Sequence, residues 1–107
     1  MRFIFCTFLF LSIHKVLFSQ DTLIIYYNKN WVEISDKNQA SFYRKAFKDS
    51  NNIWTAYDYY ISNKLQMSGK YKSKKLIEKN GHFIYYYENG KKKIEGDYLN
   101  DKQEGEW

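Results

Sequence analysis

The chain repeats itself in its second half. Residues 57–71, moved 27 places along, fall on residues 84–98, and five of the fifteen aligned positions are identical: Tyr59/Tyr86, Tyr60/Tyr87, Lys64/Lys91, Gly69/Gly96 and Tyr71/Tyr98. A period of this size marks an array of small units that bury their apolar faces against one another. A finer pattern runs inside it. Four of the five glycines are followed two residues later by an aromatic: Gly69-x-Tyr71, Gly81-x-Phe83, Gly96-x-Tyr98 and Gly105-x-Trp107. A glycine within a strand allows close backbone approach, and an aromatic on a neighbouring strand can cover the bare spot it leaves.

Asn89-Gly90 lies between two strand-like runs and predicts a two-residue type I′ hairpin turn, with positive φ at both central residues. The register follows: Glu88 faces Lys91, Tyr87 faces Lys92, Tyr86 faces Lys93, Tyr85 faces Ile94, Ile84 faces Glu95 and Phe83 faces Gly96. Alternation then gives a core face of Phe83, Tyr85, Tyr87, Ile94 and Gly96. The second face carries His82, Ile84, Tyr86, Lys93 and Glu95. Phe83 is expected to cover Gly96. The earlier unit turns at Ser62-Asn63, since Asn tolerates positive φ. Its core face holds Ala56, Asp58, Tyr60, Leu65, Met67 and Gly69, with Asp58 a charged misfit whose partner the sequence does not name.

Eight Phe, eleven Tyr and three Trp among 107 residues suit half-buried pleated surfaces, and proline is absent. The earlier part is less regular. Residues 23–27 read as a strand, 28–30 as a turn and 31–34 as a second strand. Ser35 or Asp36 could cap a short helix, and residues 42–48 fit either helix or strand; a helical turn followed by a strand is the preferred reading.

The first nineteen residues read differently. Arg2 precedes a nearly unbroken apolar run over residues 3–13. Such a run spans roughly 16 Å as a helix, against the ~30 Å of a hydrocarbon core, and a short apolar run behind a basic start reads as a secretory signal. The organisation expected is a signal helix over 1–19, irregular N-terminal strands with a short helix over 20–52, and hairpin repeats over 53–107. An uncleaved signal anchor is the alternative, and would be the only membrane contact. Without Arg2 and Lys15 the 17 basic residues become 15 against 12 acidic, a net charge of about +3, too mild to demand nucleic acid. The one cysteine, Cys6, lies in the signal segment, so the exported part has no thiol.

Little here predicts catalysis. The exported part has a single histidine, His82, which the hairpin register sets opposite Asp97 as a cross-strand surface pair. No Gly-x-Ser-x-Gly elbow occurs. One histidine without cysteine gives no metal cluster, and the glycines are set among aromatic strands instead of in a phosphate-cradling loop, so no cofactor is expected. The run Lys91-Lys92-Lys93 reads as a solvated edge that discourages strand-to-strand aggregation. Tyr59, Tyr86 and Lys93, on the second face, are the candidate partner surface, because Tyr joins a flat apolar body to a polar tip. Gly69, Gly81, Asn89, Gly90, Gly96 and Gly105 are the structural turn and repeat positions.

Gly81-x-Phe83, the tyrosines at 85–87, Asn89-Gly90-Lys91, Glu95-Gly96-x-Tyr98 and Asn100-x-Lys102-x-x-Gly105-x-Trp107 together resemble the MORN-repeat variant of bacterial YwqK-type antitoxin-like proteins. The likeness is close over residues 81–107 and looser over 54–71; Tyr26, Trp31, Ala40 and Tyr43-Arg44 resemble the N-terminal part of exported members. The resemblance implies a mainly β fold, an antiparallel meander of tandem hairpin repeats serving as an interaction module. It also implies that Gly105 opens a repeat left incomplete at Trp107, which should then be partly solvated. The expected function is an exported, non-catalytic module, periplasmic or extracellular, that binds a protein or glycan partner at the cell envelope and no nucleic acid. The alternatives are a structural spacer without ligand, or an intracellular antitoxin-like binder if the N-terminal segment is not a signal.

Overall fold

The computed structural model describes residues 22–107; the expected signal segment, with its cleavage after Ser19, lies outside them. The described residues form one antiparallel sheet of eight strands: β1 Thr22–Tyr27, β2 Glu33–Ile34, β3 Phe42–Lys48, β4 Trp54–Tyr60, β5 Leu65–Tyr71, β6 Gly81–Tyr86, β7 Lys92–Leu99 and β8 Lys102–Glu104. The spatial order is β2-β1-β3-β4-β5-β6-β7-β8. From β3 onward each strand pairs with the next, and β1 is inserted between β2 and β3. Between β2 and β3 the chain makes a 3₁₀ turn at Lys37–Gln39, where the Asp36 side chain accepts a hydrogen bond from the Asn38 N–H. The short helix and following strand at 42–48 are therefore as read from the sequence.

Among the described residues the sheet is a single layer. Alternation sorts its faces. On β4, Trp54, Ala56 and Asp58 are buried, while Thr55, Tyr57 and Tyr59 are half-buried on the opposite face. The buried face gathers Ala46, Trp54, Ala56, Met67, Tyr71, Leu76 and Phe83, with Leu23, Ile25, Tyr85, Tyr98 and Trp107 packed against them. Among the described residues this inner face has no second sheet over it. It is covered by its own rings and by the long β5–β6 connection, which tucks in Leu76 and holds the Lys79 ammonium 4.8 Å from the Tyr98 ring centroid.

Small residues make that self-covering feasible. Ala46, Ala56 and Gly69 are successive cross-strand partners, and the Phe83 ring lies on Gly69 so closely that a methyl there would overlap it. Phe83 was expected to cover Gly96, its backbone partner. Instead its ring leans toward the preceding hairpin, and Trp107 covers Gly96. Trp107 donates from Nε1 to the Asp97 carbonyl at 3.2 Å and stacks edge-on to Tyr98 at 5.0 Å. Trp107, expected to be partly solvated, is half-buried, and it folds back on the sheet as a cap over Gly96.

The turns also differ from expectation. Gly90 has φ of 92°, but Asn89 does not have positive φ. The Gly90 N–H bonds to the Tyr87 carbonyl and the Tyr87 N–H to the Lys91 carbonyl. The corner is thus a four-residue turn centred on Glu88-Asn89 with Gly90 as a left-handed bulge residue, the next most common hairpin solution. The register predicted from Phe83↔Gly96 through Tyr85↔Ile94 holds, and the bulge then shifts Tyr86 onto Lys92. Tyr87, beyond the bulge, and Ile94, which keeps its predicted partner, were both assigned to the core and are both exposed. The same hydrogen-bond pair recurs at three other corners, with Trp31, Asn52 and Asn63 in Gly90's role. The tight turn with positive φ at both central residues occurs elsewhere, at Asn100-Asp101 between β7 and β8.

Candidate binding face

The outer face of β1, β3 and β4 carries a ladder of tyrosines. Tyr26, Tyr43 and Tyr59 are consecutive cross-strand partners, set opposite by the same period of two that buries Ala46 and Ala56 beneath. Tyr43 and Tyr59 stack at 5.0 Å with planes 16° apart, and Tyr26 leans on Tyr43 at 6.3 Å. Lys45 lies 5.8 Å from the Tyr59 centroid, and Phe47 packs on Tyr57 at 5.7 Å. Burial raises the Tyr59 hydroxyl's pKa, with the neighbouring Tyr43 and Tyr57 adding to it. Ile24 and Phe47 extend the apolar area and remain exposed.

At one end of this ladder an open cleft of about 430 Å³ is bounded by Tyr26 and Tyr43, by Lys37, Asn38 and Ala40 of the 3₁₀ turn, and by Ile61 and Asn63 of the β4–β5 turn. The Ile61 N–H bonds to the Ser41 carbonyl, which ties the two rims together. Tyr43 donates its hydroxyl to Asn63 Oδ1 at 2.7 Å.

Of the three residues expected to form a partner surface, Tyr59 belongs to the ladder. Tyr86 and Lys93 line a second, smaller cleft of about 260 Å³ with Tyr60, Gln66, Tyr85, Tyr87 and Ile94. There the Tyr60 hydroxyl donates to the Tyr86 carbonyl, and Lys93 lies 5.8 Å from the Tyr87 ring centroid. The three are therefore split between the ladder and this second cleft. Tyr26, Lys37, Asn38, Tyr43 and Asn63 were not among the residues expected to form a partner surface. Reading Tyr26, Tyr43 and Tyr59 as one row needs the β1–β3–β4 register, which no single hairpin supplies.

Of the turn and repeat positions, Gly69 and Gly96 lie beneath rings, as described. Gly81 starts β6 with φ of 135° against Lys70, and Gly90 and Gly105 have positive φ with open space where a side chain would point. Asn89 Oδ1 accepts from the Lys91 N–H.

Two charged groups complete the picture. Asp58, the misfit on the core face, pairs with Arg44, its cross-strand partner: Nε to Oδ1 at 2.6 Å and Nη2 to Oδ2 at 2.9 Å. Arg44 also donates to the Tyr71 hydroxyl at 3.3 Å and lies over the Tyr27 and Tyr71 rings. Burial pushes the Asp58 carboxyl up while the Arg44 hydrogen bonds pull it down; burial, opposed by Arg44, pushes the Tyr71 hydroxyl up to about 12. On the outer face, His82 Nδ1 lies 2.8 Å from Asp97, as the register implied, and Nε2 lies 2.8 Å from Glu95. With a carboxylate at each nitrogen the ring is set up to donate twice, which only the imidazolium can do; the bonds to Asp97 and then Glu95 raise its pKa.

Among the described residues no three His, Cys, Asp or Glu side chains gather to hold a metal, and no helix is long and apolar enough to cross a membrane. No protein-family model, curated protein or solved structure matches the chain.

Proposed function

We propose that this chain is an exported, non-catalytic repeat module of the MORN-variant kind, which binds a partner at the cell envelope through the outer face of its sheet. The observation that carries this reading is the Tyr26–Tyr43–Tyr59 ladder beside its cleft. Once one face of a single-layer sheet is the core, solubility alone would favour a charged opposite face. Here that face holds stacked, half-buried tyrosines with exposed Ile24 and Phe47. Rigid amphipathic rings of this kind give large contact area at low entropic cost.

Co-sedimentation with the envelope fraction of the producing cell tests the reading. The protein should bind saturably, and Tyr26→Ser together with Tyr59→Ser should weaken binding by about tenfold or more, equivalent to about 1.4 kcal/mol. Binding that never saturates, or that ignores both changes, would favour the spacer without ligand. A protein found only in the cytosol with residues 1–19 intact would favour the antitoxin-like alternative.

A further inference from the structure

We infer that the cleft at the end of the tyrosine ladder takes an acidic sugar residue, its carboxylate toward Lys37, its apolar ring face against Tyr26 and Tyr43, and its hydroxyls on the amides of Asn38 and Asn63. This rests on the binding-module reading and names the ligand class for its face.

Three solvent-exposed polar groups at this cleft have bonding capacity that no protein group uses. Asn63 Oδ1 is occupied by the Tyr43 hydroxyl, and Asn38 uses only its backbone N–H, toward Asp36. Among the described residues no protein group bonds the Lys37 ammonium, the Asn38 side-chain amide or the Asn63 amide nitrogen. All three line one cleft with two tyrosines and Ile61. An apolar wall with a few convergent polar groups is the usual make-up of a small-molecule site, and about 430 Å³ lies near the small end of the ~300–1,000 Å³ such sites span.

The fold decides between a sugar and a peptide. A peptide docking on a sheet gains most from an unpaired strand edge, where backbone ladder bonds form. At the cleft itself no such edge is open, since Tyr26 is paired to Ile34 and to Tyr43, and Tyr43 to Tyr59; the unpaired edge of β1 lies farther along, over residues 22–25. Recognition must come from side chains alone. The Asn38 amide offers two donors and an acceptor, and the Asn63 amide two donors beside an oxygen already bonded to Tyr43, a set that suits vicinal hydroxyls, which both give and receive hydrogen bonds. The Lys37 ammonium is a point charge without an ion-pair partner, so a carboxylate complements it and a neutral sugar leaves it unused.

The test is titration calorimetry of the full chain with a tetrasaccharide of alternating glucuronic acid and N-acetylglucosamine, with the same tetrasaccharide after reduction of its carboxyl groups, and with a tetra-glutamate peptide. The acidic tetrasaccharide should bind at least about tenfold more tightly than the reduced one. Lys37→Gln, at an exposed position, should erase that difference without abolishing binding. Asn63→Gly, which keeps the left-handed backbone and removes the amide, should weaken both sugars. Equal binding of charged and reduced sugars by the unaltered chain, or binding insensitive to Lys37→Gln, overturns the assignment. So does tighter binding of the peptide. Absence of sugar binding combined with saturable, tyrosine-dependent envelope binding overturns the sugar and leaves the module standing. Absence of both overturns the two together.

Discussion

The ring of Phe83 occupies the space above Gly69 that a side chain there would fill. Phe83 is fully buried, so the two residues bind neighbouring hairpins as lock and socket, and Trp107 on Gly96 repeats the arrangement one hairpin on. Gly69→Ala should therefore destabilise the fold by about 1–3 kcal/mol through overpacking. Chemical denaturation would measure this. Adding Phe83→Leu should restore part of the loss, a coupling that a double-mutant cycle reads directly.

Arg44 and Asp58 make the opposite kind of contact, charged and buried. Arg44→Met or Asp58→Leu alone leaves a buried charge without its partner and should cost about 3–5 kcal/mol. The double variant should be much closer to the unaltered protein, within about 1–2 kcal/mol, because two apolar side chains remove both desolvation costs. Equilibrium unfolding of the three variants checks the pattern. Two small single losses that simply add would show that the pair is exposed to water.

Much of the strand pattern could be read from the sequence, and the contrast between these two contacts explains the limit. The hairpin register from Phe83↔Gly96 to Tyr85↔Ile94 is local; a short turn and alternation fix it. His82 opposite Asp97 follows from the same count. The Arg44–Asp58 pair depends on β3, whose Phe42–Lys48 run also carries apolar residues at helical spacing. The cleft draws on β1, the 3₁₀ turn, β3 and the β4–β5 turn at once, so no single periodicity displays it. The turn type was missed for a different reason. Asn-Gly satisfies both a two-residue type I′ corner and a bulged corner with glycine third, and only the Tyr87–Lys91 backbone bond decides between them.

That shared corner has its own consequence. Gly90 and Asn52 occupy equivalent left-handed positions with φ of 92° and 64°. Gly90→Val and Asn52→Val should each destabilise by about 1–3 kcal/mol, since β-branched residues are strained there. Asn52→Gly should be neutral or slightly stabilising. Thermal melts of the three variants give the comparison; a harmless Asn52→Val would mean that this corner turns differently.

The His82 network carries a pH dependence whose sign is fixed by its shifts. The carboxylates of Asp97 and Glu95 raise the His82 pKa, so its contribution is full below the unfolded histidine value of about 6.5 and fades as pH rises through the folded value. Lys92 and His82 lower the Glu95 pKa, so its contribution is present above about 4.3 and is lost as pH falls through the folded value. The network is thus complete between those limits. His82→Gln should lower Tm at pH 5.5 and leave it nearly unchanged at pH 9. The groups are exposed, so the shift at pH 5.5 should be small.

The division of labour between the two faces is the claim on which the functional account stands. Chemical-shift mapping of the isotope-labelled protein during titration with solubilised envelope material tests it most directly. The account predicts perturbations concentrated on Tyr26, Tyr43, Tyr59, Lys37 and Asn63, with Phe83, Tyr98 and Trp107 unmoved. Perturbations centred on Phe83, Tyr98 and Trp107, with the tyrosine ladder silent, would contradict it.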